Sequence, residues 1–238
     1  MNLNEDFPNG NEHVGAVMKK SLIIFLMLLF PLLAETQTKP AYEDSVLSLL
    51  TPLVKNQFGS KYSVDVDLFD YLIGAPRRDQ LVITDPYGTL QHCVLFYAWD
   101  DTTYDSSFVG MYKDGKIIWH CDRIIHGTPH GLFDAEDINK DGTVDLMTTW
   151  YDPSTQRSVQ SQEMWIISWG GSSGRIINGI DSSDVYLQSV VSGLDGFVLQ
   201  DIDGNHLYYI SSMNDDEDST IYFYWNGSRY VDESPPKK

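Results

Sequence analysis

Asp137-Ile138-Asn139-Lys140-Asp141-Gly142-Thr143-Val144-Asp145-Leu146 places oxygen-bearing side chains at alternate positions of a short turn. Asp137, Asn139 and Asp141 come first, and Asp145 follows as the chain leaves the turn. Gly142 sits where a chain wrapping round one point must bend sharply, and a residue without a Cβ bends most easily. Three acids this close repel one another unless something positive sits among them. A hard cation such as Ca²⁺ takes six to eight oxygen ligands at about 2.3–2.6 Å. Asp137, Asn139, Asp141 and Asp145, with the carbonyl of Thr143, supply most of such a set and are the expected Ca²⁺ ligands. The rival reading is a polar turn that holds no metal.

The residues after the loop point to the fold. Leu146-Met147-Thr148-Thr149-Trp150-Tyr151 is rich in β-formers and aromatics and reads as a strand. The spacing D-x-N-x-D-G-x-x-D is the first half of an EF-hand loop, but that loop needs a bidentate Glu at position twelve, where this chain has Thr148. An acidic loop that runs into a strand instead resembles the calcium loop of FG-GAP/VCBS-type repeats, found in β-propellers and in integrin α-chain heads.

Stacking the later segments brings out a repeat. The loop and strand at 137–150 lead to 164–171, ending in Trp169-Gly170-Gly171, and then to 175–177. Asp201-Ile202-Asp203-Gly204-Asn205 leads to 207–210, then to 221–227 with Trp225-Asn226-Gly227, then to 229–231. A looser unit comes earlier: 81–84, 94–99, a strand near Phe108 and a Lys113-Asp114-Gly115-Lys116 hairpin. The period, about 60 residues, suits a four-stranded propeller blade. The resemblance therefore implies an all-β fold of propeller-like repeats over residues 60–235, in units of about 60–125, 126–183 and 184–235. Closed propellers typically have four to eight blades. A partial or divergent propeller, or a sandwich of the same strands, stays open. In the last unit Asp201, Asp203 and Asn205 make a weaker second Ca²⁺ candidate, because Gly204 comes early and Tyr209 stands where a closing acid belongs.

Residues 1–34 read as an upstream segment and a signal peptide. Lys19 and Lys20 precede an apolar run at 22–33, and Ala34 offers a small residue for cleavage. The run is shorter than the roughly 20 residues a bilayer requires; the rival reading is an uncleaved anchor. Glu5, Asp6 and Glu12 suit no signal, so Met18 rather than Met1 is the expected start. Residues 35–59 read as linker and helix, with Val46, Leu49, Leu50, Leu53 and Val54 at helical spacing and a break expected at Pro52.

Thirty-four acidic residues against 16 basic ones give a net charge of −18, which argues against nucleic acid and anionic membrane surfaces as partners. A secreted protein, extracellular or periplasmic, is expected, with no stable membrane insertion of the mature chain. Cys93 and Cys121 read either as a disulfide or as two buried thiols. His92-Cys93 and His120-Cys121 invite a zinc site, but strand neighbours point to opposite faces. His126 and His130, with Asp134 and Glu136, suggest a catalytic histidine; the plainer reading is a loop leading into the acidic turn. Asn214-Asp215-Asp216-Glu217-Asp218 reads as a solvated hairpin tip, and Trp150, Trp165, Trp169, Tyr222, Tyr224 and Trp225 as core aromatics rather than a sugar platform. The resemblance implies recognition or adhesion of an extracellular protein or glycan rather than catalysis. A propeller-type hydrolase or lyase and a structural surface module are the alternatives.

Overall fold

Short apolar runs bounded by Gly, Asp and Asn become strands in the computed structural model, which describes residues 38–73, 85, 87–151, 160–178, 187–191, 197–201, 209–213 and 220–231. The chain divides into two compact units, Met1–Tyr42 and Glu43–Lys238. Of the first only residues 38–42, the beginning of a helix, are described. The apolar run at 22–33, the strand expected at 81–84 and the acidic cluster at 214–218 lie outside the described residues. Among the described residues no helix is long and apolar enough to cross a membrane.

The second unit is all-β and antiparallel apart from its helices. Strands β1 (Tyr62–Leu68), β2 (Val94–Asp100), β3 (Phe108–Lys113) and β4 (Lys116–His120) form one sheet in chain order. The β3–β4 turn is the expected hairpin, with Asp114 and Gly115 at positive φ, 49° and 80°. A second sheet runs β5 (Thr128–Glu136), β6 (Val144–Tyr151), β7 (Gln160–Trp169), β8 (Gly174–Ile176), and β9 (Leu187–Val191) also pairs with β7. The third is β10 (Phe197–Gln200), β11 (Tyr209–Met213), β12 (Thr220–Trp225) and β13 (Tyr230–Val231). The first and third sheets are meanders in which sequence neighbours pair; the second is one through β8, after which β9 returns to β7. Among the described residues the three sheets stay separate and close into no barrel.

The middle sheet carries the densest core. Every residue from Val144 to Trp150 and from Gln162 to Trp169 is buried. Trp150, Trp165 and Trp169 are completely enclosed, and burying a large apolar side chain contributes roughly 1.5–3 kcal/mol. This places the three tryptophans in the core, as expected, whereas Tyr222 is 43% exposed.

Three local expectations are corrected. Residues 128–136 are strand β5, not a loop, and two register shifts against β6, at Pro129/Gly131 and Leu132/Asp134, erase the regular alternation by which a strand is read. Helix α1 (Lys39–Phe58) passes through Pro52 without ending. Pro52 is exposed, so the carbonyl left without its donor can turn to water. The buried stripe of that helix is Val46, Leu50 and Val54, while Leu49 and Leu53 are 59% and 37% exposed. A single turn, α2 (Phe69–Leu72), follows β1.

Two edge strands lie end to end along β7: β8 beside Ile167–Trp169 and β9 beside Gln160–Met164. Asn178 fills the gap between them. Its Oδ1 accepts from Ile166 N at 2.6 Å and its Nδ2 donates to Met164 O at 2.6 Å, as a strand's own peptide group would. Ile177 N donates to Ile166 O just before it. Beyond, Tyr230 N donates to Ile177 O at 2.8 Å, and Asn178 and Tyr230 form a parallel bridge. The third sheet meets the second at this point.

Candidate metal loop

The acidic stretch is the turn of the β5–β6 hairpin, held between two well-paired strands. Lys140 and Gly142 take positive φ, 58° and 88°, which reverses the chain within a few residues. Asp137 receives Asp141 N on Oδ1 at 3.1 Å and Gly142 N on Oδ2 at 3.0 Å. Asn139 Oδ1 accepts a second bond from Asp141 N at 2.9 Å. Asp141 Oδ1 accepts from Thr143 N at 2.9 Å and also from the Thr143 hydroxyl. Thr143 Oγ1 lies 2.8 Å from Ser168 Oγ and so ties the turn to β7. The exposed Lys140 reaches back to Glu136 at 3.6 Å. Among the described residues no three or more His, Cys, Asp or Glu side chains are gathered as a metal-binding group. The loop carboxylates are turned to backbone N–H groups instead, yet each has about four acceptor positions and uses only some of them.

Asp145 differs from its neighbours. Asp137 is half-buried and Asp141 exposed, but Asp145 is completely buried at the start of β6. Oδ2 accepts from Ile138 N at 3.2 Å, and Oδ1 has no hydrogen-bond partner. Burial, reinforced by the charges of Asp141 and Asp137 against the opposing bonds from Ser168 and Ile138, pushes its carboxyl up to about 7. A buried carboxylate oxygen beside two further acids is costly unless a cation completes it. Four of the expected ligands therefore lie in the turn and Asp145 lies just beyond it in β6, with one buried oxygen lacking a partner. Ser168 joins them through the β6–β7 register, which sets it opposite Asp145. Nothing in the local sequence marks Ser168, because strand register is a tertiary fact. Of the weaker set, Asp201 is exposed at the end of β10, and Asp203 and Asn205 lie outside the described residues.

The other constellations resolve into structural contacts. Exposed His130 lies 3.3 Å from Thr149 Oγ1 and packs on Tyr151. Asp134, by contrast, is buried and accepts from Ala135 N. His92 pairs with Asp70 at 3.3 Å, and His120 contacts the carbonyl of Cys121.

Cys93 and Cys121 are buried free thiols. Cys93 precedes β2, and Cys121 bonds to Val109 beyond β4, so β3 and several residues of register separate them. Burial raises the Cys93 thiol and pushes Cys121 up to about 12. Because the thiolate is the reactive form, neither thiol should react with a disulfide reagent at pH 8 in native protein, and both should react after denaturation. A thiol count of zero in denaturant without reductant would contradict this. No family model, curated protein or solved structure matches the chain.

Proposed function

We propose that this chain is a secreted calcium-binding β-protein whose work is extracellular recognition or adhesion, with Asp137, Asn139, Asp141, Thr143 and Asp145 holding one Ca²⁺. The observation that carries this reading is the enclosed Asp145 carboxylate, whose Oδ1 lacks a partner beside Asp137 and Asp141. A divalent cation would satisfy it and cancel the repulsion in one step. We read the three sheets as propeller-like units of the FG-GAP/VCBS type. The chain order of β1–β4, β5–β8 and β10–β13 supports that reading, since each run of four pairs in the order of one blade, with β9 added at the edge of the second. A binding role fits better than catalysis because His130 meets Thr149 and Tyr151.

Isothermal titration of calcium into the full chain should give one site. Asp141→Ala should weaken it at least tenfold, a loss of about 1.4 kcal/mol. Mg²⁺ should substitute poorly, because it demands a tighter octahedral shell. The absence of heat at millimolar calcium would reduce the loop to a turn. Protein and glycan arrays probed with and without chelator then test recognition, and binding that ignores chelator would separate it from the loop.

A further inference from the structure

Two buried polar atoms of the loop, Asp145 Oδ1 and Asn139 Nδ2, have no hydrogen-bond partner, and neither has the buried Tyr230 Oη. Tyr230 comes from the far end of the chain, on β13 of the third sheet, and is completely buried. Its backbone is fixed to the second sheet through Ile177 and Asn178. Its ring belongs to an apolar cluster with Ile138, Met147, Ile177, Phe197 and Phe223. Ile138 is itself a loop residue, set between Asp137 and Asn139. The cluster thus joins the acidic turn to β10, β12 and β13. Burial, and then the charges of Asp145, Asp137 and Asp141, raise the Tyr230 phenol, so the hydroxyl lies within the field of the loop acids.

We propose that calcium in this loop fastens the third sheet to the second, with Tyr230 and Ile138 as the positioning residues that transmit occupancy. The proposal rests on the calcium reading above. Fixing Asp137 and Asn139 on an ion fixes Ile138 between them, and the third sheet packs against Ile138. The Tyr230 hydroxyl is a buried donor without an acceptor, and Asp145 Oδ1 is a buried acceptor without a donor. Besides this cluster, the described residues join β13 and the turn before it to the second sheet through the Tyr230 N to Ile177 O bond, the Asn178 bridge and a bond from Arg175 to the carbonyl of Ser228.

Hydrogen exchange on the full chain, with calcium or with chelator, tests this, using titration calorimetry on the same samples. In wild-type protein calcium should slow exchange at least tenfold within 137–145 and also within β10, β12 and β13. Tyr230→Phe keeps the ring and removes the hydroxyl. It should retain calcium protection of 137–145, lose most of it in the third sheet and weaken calcium binding severalfold. Ile138→Val, a milder change, should reduce the same long-range protection without removing it. Protection confined to 137–145 in wild type overturns the coupling and leaves the calcium reading standing. Wild-type behaviour in both variants overturns the assigned route. No heat and no protection anywhere overturns this proposal and the calcium reading together.

Discussion

Asp145→Asn is expected to raise the melting temperature of the calcium-free protein and to erase its response to calcium. Asparagine keeps the shape and the acceptor toward Ile138 N, now at 3.2 Å from Asp145 Oδ2, while removing the buried charge. The amide nitrogen that replaces Oδ1 is also without a partner but carries no charge; an unsatisfied buried group costs about 1–3 kcal/mol and more when charged, so the exchange should recover about 1–3 kcal/mol, and in a chain of this size each kcal/mol moves the midpoint by about 2–4 °C. Wild-type protein should gain instead from calcium, by about 2.7 kcal/mol at a hundredfold excess over Kd. The two proteins should therefore rank in opposite order with and without the ion. The pH dependence has a definite sign. The folded carboxyl is raised from its ordinary value to about 7, so its contribution to stability is full below about pH 4 and lost as pH rises through about 7. Calcium-free wild type should weaken over that window and Asp145→Asn should not, while calcium affinity should climb across it. Differential scanning calorimetry at pH 5 and pH 8, with and without chelator, checks all four arms. A calcium-free Asp145→Asn protein less stable than wild type at pH 8 would mean that the charge is already compensated.

Much of the β-architecture is legible in the sequence, because its strands are short, aromatic and bounded by turn residues. The β3–β4 hairpin, β7 with its terminal Trp169, and β12 stand near their expected places. Strand β5 escapes for a physical reason: its two register shifts and Gly131 at φ 123° break the period of two. Helix α1 shows the opposite failure. Leu49 and Leu53 satisfy a helical spacing yet face water, since spacing gives a face only when a partner surface selects it. The candidate loop is legible as a set of oxygens at alternate positions. Which acid is enclosed is not, because Asp145 is buried by the sheet around it. Ser168 and Tyr230 carry no local signal at all. Ser168 reaches the loop through the β6–β7 register, and Tyr230 meets the second sheet through the Ile177 hydrogen bond and the Asn178 bridge, which only the folded chain provides.

Asn178→Ala is expected to be among the most damaging single substitutions in the described fold, although the residue belongs to no strand. Its amide completes the edge of β7 where β8 has ended and β9 has not begun. Truncation leaves Ile166 N and Met164 O, both within the core strand, facing a side chain that can neither accept nor donate. Asn178 itself is 4% exposed, so water does not readily replace it. Leaving a buried donor or acceptor unmade costs about 1–3 kcal/mol, so the pair should cost about 2–6 kcal/mol. The loss should appear as a lower denaturant midpoint at an unchanged slope. Asn178→Asp separates the two bonds. Ionised aspartate still accepts from Ile166 N but cannot donate to Met164 O, and it buries a charge as well. At neutral pH it should be no better than alanine. It should recover as acid protonates it, because the neutral carboxyl donates again. Residue 178 also forms the bridge to Tyr230, so both variants should loosen the third sheet first. Exchange within β13 should then rise before exchange within β6. A cost below about 1 kcal/mol for Asn178→Ala would show that the strand edge repairs itself by shifting β8.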